Sequence, residues 1–360
     1  MRGTMTQPDR ILVRATNWVG DAVMSMPAVE RLRSVFPRAH ITVLARPWVA
    51  GLYRRPLVDD VLPYTAAADW KDLRGRWRLA AALRAHRFDM ALLLQNAFDA
   101  ALVTWLAGIP IRIGYDIKRR RMLLTDAIRV PAPGEIPRHH SYYYLELLRR
   151  AGLLDAIPEH PSIRFHDRDD LRRLGQRRLP GVWIGVAPGS ANGHAKRWPA
   201  DRFAAAATAA ATAAGASVAV FGSPDDRGPC ERVAEMTRNR GVHVVNFTGS
   251  TGIGECLELV AGCAAFITND SGAMHVADAL GVPTVAVFGP TDPEATGPTG
   301  PLSAIVSEPV DCGPCLLHEC PLDHRCMETV HAARVASEVA RVLGLARSDA
   351  PRVSPQTVRR

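Results

Sequence analysis

The chain has 360 residues, a length that favours two domains, each able to bury its own core. With 47% hydrophobic and 22% charged residues it has an ordinary soluble composition. No apolar run approaches the ~20 residues a membrane-spanning helix needs, and the start MRGTMTQPDR lacks the apolar core of a secretory signal, so a cytoplasmic location is expected. The net charge of +8 is unevenly spread: residues 1–180 hold 30 Lys and Arg against 18 Asp and Glu, whereas residues 181–360 hold 14 against 18. The basic first half points to an acidic partner, nucleic acid and an anionic membrane surface being the usual two.

In chain order, Arg10 to Thr16 reads as a first strand. Asn17-Trp18-Val19-Gly20-Asp21 is then a turn leading into a helix from Ala22 to Phe36. Asp21 at this helix start is either a cap or first-turn acid favoured by the dipole, or a functional acid at a strand end. Strands follow at His40 to Ala45, Val58 to Tyr64, Phe88 to Leu94 and Ile111 to Tyr115. Helices are expected near Arg78 to His86, Asp99 to Ala107 and Tyr142 to Gly152. This is one doubly wound α/β domain, residues 1–165. Within it, Lys118, Arg119, Arg120 and Arg121 precede Met122, Leu123 and Leu124, a charge run beside an apolar triplet that suits a membrane surface, although a solvated loop is the plainer explanation.

His166 to Pro180 is charged and ends in proline, so the hinge is placed between Pro158 and Pro180. A second alternating series, residues 180–345, has strands at Val182 to Ala187, Ala216 to Phe221, Val242 to Asn246, Cys263 to Thr268 and Val282 to Phe288, with a helix at Phe203 to Ala214. Two Rossmann-like domains in tandem leave a cleft between facing strand ends. The loop from Ala187 to Pro199 carries Gly189, Ser190, Lys196 and Arg197, and a lysine held at strand ends can neutralise a diphosphate. Asn269, Asp270, Ser271 and Gly272 form a turn between a strand and a helix, where Gly272 lets a phosphate approach the helix N-terminus. They also suit a plain turn and cap. Asp270 would repel a phosphate and is expected to cap the helix or accept from sugar hydroxyls.

Of seven cysteines, Cys230, Cys256 and Cys263 read as buried small hydrophobes. Cys312, Cys315, Cys320 and Cys326, interleaved with His318 and His324, match no zinc or iron–sulfur spacing closely. A structural metal, free thiols and a redox-sensitive disulfide all stay open for them. The tail 346–360 is polar, contains prolines and is expected to be disordered.

Taken together, NWVGDAVMSMPA at Asn17 to Ala28, PGSANGHAKRWP at Pro188 to Pro199 and NDSGAMHVADALGVPTVAVFGPTDP at Asn269 to Pro293 resemble the ADP-heptose:lipopolysaccharide heptosyltransferases, glycosyltransferase family 9. The resemblance covers about Ile11 to Leu343, and the NWVGD form and AKRWP loop favour the second heptosyltransferase branch over the first. It implies an α/β GT-B fold, two Rossmann-like domains facing a central cleft, and an inverting, metal-independent transfer with no cofactor. The donor implied is ADP-heptose, and the acceptor is the first heptose of the lipid A-anchored inner core. By the same resemblance Asp21 is the base, while Lys196 and the N–H groups at Ser271 to Ala273 stabilise the departing ADP. Gly20, Gly189, Ser190, Asp270, Gly272 and His275 line the substrates, and Asp226, in preference to Asp225, meets the ribose. The acceptor's anchor implies peripheral binding to the inner face of the cytoplasmic membrane. The alternatives are a heptosyltransferase of the first or third type, or a hexosyltransferase or epimerase of the same fold. A nucleic-acid partner is not expected, because no recognition motif or aromatic interleaving accompanies the arginines.

Overall fold

The computed structural model describes residues 7–65, 72–191 and 193–344; the tail 346–360 expected to be disordered lies outside them. Twelve strands form two six-stranded sheets among the described residues. In the first, β1 (Arg10–Arg14), β2 (His40–Ala45), β3 (Asp60–Pro63), β4 (Met90–Leu93), β5 (Ile111–Tyr115) and β6 (Asp126–Ile128) lie in the order β3-β2-β1-β4-β5-β6. In the second, β7 (Trp183–Ala187), β8 (Ser217–Val220), β9 (Val244–Asn246), β10 (Ala265–Asn269), β11 (Thr284–Val287) and β12 (Ser303–Val306) lie in the order β12-β11-β10-β7-β8-β9. All neighbours are parallel, Ile11 facing Ile41 on one side and Met90 on the other, for example. Helices cover both faces, which is why the central strands read as continuous apolar runs: β1, β7 and β10 bury nearly every residue.

The two sheets repeat one doubly wound plan, with the order reversing between β1 and β4 in the first and between β7 and β10 in the second. Their carboxyl ends are therefore where ligands bind. One contiguous apolar cluster runs from Ile11, Val13 and Ile41 in the first sheet through Val276, Ala277 and Leu280 to Phe266 in the second. The lobes are joined by packing as well as by the chain.

Several expectations are corrected. The helix read from Ala22 to Phe36 is two helices, Val19–Met24 and Met26–Val35. They break at Ser25, just before Pro27, which cannot donate a backbone hydrogen bond to the first. The segment read as a hinge contains a helix, Arg168–Arg178, which buries only Leu171 and Gly175. Gly175 sets it backbone to backbone against Gly262, beside the helix Ile253–Ala261.

The run from Lys118 to Leu124 is not a free charged surface. Arg120 is fully buried, its guanidinium donating to the carbonyls of Tyr115 (2.8 Å) and Gln95 (2.5 Å) and to Asn96 Oδ1 (2.9 Å). Leu123 and Leu124 are buried as well. Lys118, Arg119, Arg121 and Met122 remain exposed, so three charges and one apolar side chain face solvent in place of four and three.

Candidate active site

The three turns singled out from the sequence follow β1, β7 and β10 and meet between the sheets. The helices Val19–Met24 and Gly272–Ala279 pack N-terminus to N-terminus. A Cβ on Gly272 would stand 2.8 Å from Val19 Cβ, and one on Gly20 would stand 3.0 Å from His275 Cδ2. Position 272 needs glycine for this approach, and a side chain at Gly20 would have to push the His275 ring aside. The contact sets the spacing of the two lobes at the site.

Asp21 lies in the first turn of its helix with its side chain 32% exposed. Burial raises its pKa above the ordinary carboxylate range, and the nearby His140 and Lys196 charges only partly offset this. His140 Nε2 stands 3.8 Å from Asp21 Oδ1. The imidazole is stacked on Tyr143 at 5.3 Å and edged by Tyr144 at 5.2 Å, with the Tyr144 hydroxyl 3.3 Å from Nε2. Burial lowers the pKa of His140, against the pull of Asp21. Sequence reasoning missed this histidine, whose one signal is the pair of histidines ahead of three tyrosines in His139 to Tyr144.

His140 also ties the lobes together. Its N–H donates to Ala295 O (2.9 Å), His139 Nε2 lies 3.1 Å from Gly297 O, and Arg138 pairs with Asp292 and, at 2.6 Å, with Glu294.

On the facing side Lys196 Nζ donates to Asp270 Oδ2 at 2.7 Å, the two side chains 16% and 5% exposed. Asp270 is thus neither the helix cap nor free for sugar hydroxyls on that oxygen; Ser271 is the N-cap and makes no side-chain cap bond. The first-turn N–H groups of Gly272–Ala279 therefore receive no capping oxygen from it, as an anion-binding helix end requires. Asn269, fully buried, clips the lysine loop to this turn. It donates to Pro188 O (2.9 Å) and accepts from Trp198 N (3.1 Å).

Behind the loop stands the cysteine segment. Ala195 N donates to His318 O (3.0 Å), His324 Nε2 lies 2.6 Å from Ala195 O, and His194 pairs with Glu319 at 3.2 Å. The four cysteines form no disulfide with one another, and no group of three or more metal-ligating side chains is assembled among the described residues. The segment is a brace for the loop that carries Lys196.

Gly189 and Ser190 lie at the end of β7, beside Asp226 and Arg197. The Asp226 carboxyl lies against Gly189, accepts from Ser223 N (3.1 Å) and Oγ (2.6 Å), and stands 3.5 Å from Arg197, which itself donates to Ser190 O (3.2 Å). Asp225 is exposed. Thr16 Oγ1, Asn17 Oδ1, Gln95 Oε1 and Thr291 Oγ1, near strand ends of both sheets, are buried with no hydrogen-bond partner among the described residues. A polar ligand would satisfy them.

His275 is buried, and burial outweighs Asp270 to hold its pKa down at about 4. It is neutral at pH 7. An unfolded histidine titrates near ~6.5, so between that pH and about 4 the unfolded state binds the extra proton. Stability attributable to this residue is therefore complete above ~6.5 and lost as pH falls, by on the order of 3 kcal/mol. Urea unfolding of wild type and His275→Gln between pH 7 and 4.5 checks this: the stability gap between the two proteins should narrow or reverse as pH falls. Parallel curves would sink it.

Two parallel Rossmann-like sheets with an acid on one lobe, and a lysine and an open helix N-terminus on the other, define a two-domain glycosyltransferase of the GT-B type. The family model Glycosyltransferase family 9 (heptosyltransferase) matches residues 76–325. The chain is 34% identical to the lipopolysaccharide heptosyltransferase 2 of Escherichia coli K12 over 80% of its length and 85% of that protein's. It is 30% identical to the lipooligosaccharide heptosyltransferase 2 of Haemophilus influenzae, over 82% and 88%. The solved structure of the E. coli ADP-heptose LPS heptosyltransferase II superposes with a TM-score of 0.78 at 30% identity, covering 93% of this chain and 99% of that one. The chain belongs to glycosyltransferase family 9, the heptosyltransferases.

Proposed function

We propose that this protein transfers heptose from ADP-heptose to the first heptose of a lipid A-anchored inner core, with inversion at the anomeric carbon. The observation that carries the reading is the Asp21 carboxylate facing the Lys196–Asp270 pair and the Gly272–Ala279 helix N-terminus across the cleft, in a chain of this family. Residues 1–165 bind the acceptor and residues 180–345 the donor. Asp21 takes the acceptor hydroxyl's proton as its oxygen attacks; the bond to the diphosphate oxygen breaks, and the charge left on ADP meets Lys196 and the N–H groups of Gly272 and Ala273. Asp270 holds the ammonium in place. His275, neutral, offers one N–H toward the sugar or diphosphate, and Asp226 with Arg197, at Gly189 and Ser190, receives the nucleoside.

A lysine and a helix end supply the positive charge that a divalent ion supplies in other transferases, so the transfer proceeds without a metal. EDTA is expected to leave the rate unchanged; inhibition that magnesium reverses would overturn this point. The reading as a whole is tested by mass spectrometry of heptosyl-Kdo2-lipid A incubated with enzyme and ADP-heptose. The expected product is heavier by one heptose unit, and no product with this donor would defeat the assignment. The acceptor's lipid anchor brings the enzyme to the inner face of the cytoplasmic membrane, where the protein binds peripherally; no helix among the described residues is long and apolar enough to cross a membrane.

A further inference from the structure

The two tryptophans described in the second lobe, Trp183 and Trp198, are buried. The four described in the first lobe are not: Trp18, Trp48, Trp77 and Trp105 are each about half exposed. Two of these lie on neighbouring helices, Leu73–Ala85 and Phe98–Leu106, which pack against each other with Arg76 paired to Asp99 at one end and Arg84 donating to Leu106 O at the other. Leu73 (62% exposed) and Trp77 (57%) are one turn apart on the first helix. Phe98 (44%) and Trp105 (49%) are two turns apart on the second, with half-buried Leu102 between them. Met122, 82% exposed, follows β5 on a short turn that touches the second helix. Large exposed apolar side chains gathered on two packed helices and rimmed by polar residues mark an interaction surface.

The charges around it are mainly basic. The helix Leu73–Ala85 carries four arginines and no acid. Arg74, Arg78, Lys118 and Arg119 are exposed and have no acidic partner among the described residues, while the nearby Asp99 and Asp116 are each paired with an arginine. Tryptophan prefers the headgroup zone, with its ring apolar and its N–H wet, and unpaired basic side chains are drawn to anionic headgroups. Leu73, Phe98 and Met122 follow the carboxyl ends of β3, β4 and β5, so the face begins at the mouth of the cleft.

We propose that the outer face of the helices Leu73–Ala85 and Phe98–Leu106, with Met122, is the surface by which this protein docks on an anionic bilayer. This deepens the transferase reading and rests on it, since that reading supplies a reason for the cleft to open at a membrane. Trp77 and Trp105 sit in the headgroup zone, and Arg74, Arg78, Lys118 and Arg119 contact lipid phosphates.

The full chain is mixed with vesicles of phosphatidylcholine containing phosphatidylglycerol, or of phosphatidylcholine alone. Wild type is compared with Trp77→Ser/Trp105→Ser and with Arg74→Ser/Arg78→Ser/Lys118→Ser/Arg119→Ser. Both variants should partition onto the anionic vesicles at least tenfold less than wild type and transfer heptose to a delipidated, soluble acceptor at the wild-type rate. Independently of any variant, brominated lipid should quench wild-type tryptophan fluorescence on anionic vesicles only. Binding of both variants equal to wild type, or the absence of quenching, overturns the proposal. So does concentration-dependent dimerisation that the tryptophan substitutions abolish, which would give the face to a second copy. Transfer to the soluble acceptor without vesicle binding would sink this proposal and leave the transferase reading intact; vesicle binding without transfer to either acceptor would do the reverse.

Discussion

Asp21→Asn is expected to lower the rate of heptose transfer by about 10²- to 10⁴-fold, the usual worth of a positioned general base, while changing the affinity for ADP-heptose by no more than a few-fold. Asparagine keeps the shape and cannot take the proton. Because burial raises the pKa of Asp21, the ionised carboxylate works against folding at neutral pH: the folded state gains stability as pH falls through the raised value. The variant should therefore melt at the same temperature as wild type or higher at pH 7, although it is nearly inactive. The acid limb of the wild-type kcat/KM profile should lie above the ~4 of an ordinary aspartate. Transfer within tenfold of wild type, or a variant inactive because it melts early, would reduce Asp21 to a helix-start acid.

The second large effect is that of Lys196→Ala, which removes a charge-assisted contact to the leaving diphosphate. Such contacts are worth about 1.5–3 kcal/mol, so kcat/KM should fall roughly 10- to 100-fold or more, through both KM and kcat. This substitution also strands Asp270, 5% exposed, without its partner at 2.7 Å, and breaking a buried pair costs ~3–5 kcal/mol of stability. Adding Asp270→Asn separates the two consequences. The double variant should regain the melting temperature and not the turnover. Wild-type turnover in the double variant would mean that Lys196 serves only to neutralise Asp270.

The central strands and the three strand-end turns were legible in the sequence for one physical reason: strands buried on both faces are unbroken apolar runs, and the polar residues ending them have little structural cause to cluster there. β6 and β12 escaped because they are short edge strands, half exposed, with no run to read. The helix Arg168–Arg178 escaped because a helix that buries only Leu171 and Gly175 has almost no apolar stripe. Arg120 and His140 could not be found at all from local pattern. The first is buried because the ends of β4 and β5 gather three acceptors around it, and the second meets Asp21 only when the helix Ser141–Arg150 docks beside the first turn. That Asp270 pairs with Lys196 and does not cap the helix was hidden for the same reason, its lysine lying far away in sequence.

The unequal charge of the two lobes, 25 Lys and Arg against 15 Asp and Glu in residues 1–165 and 19 against 21 in residues 166–360, gives the molecule an electric dipole along the line joining them. Near an anionic surface such a body feels a torque as well as an attraction: the basic lobe turns inward and the acidic lobe outward before any contact forms. Encounters then arrive already oriented, which raises the productive fraction of collisions without adding a single bond. The field reaches about a Debye length, ~8 Å at physiological salt and ~3 Å at 1 M. Salt should therefore slow the association of this enzyme with a charged surface far more than it speeds its release.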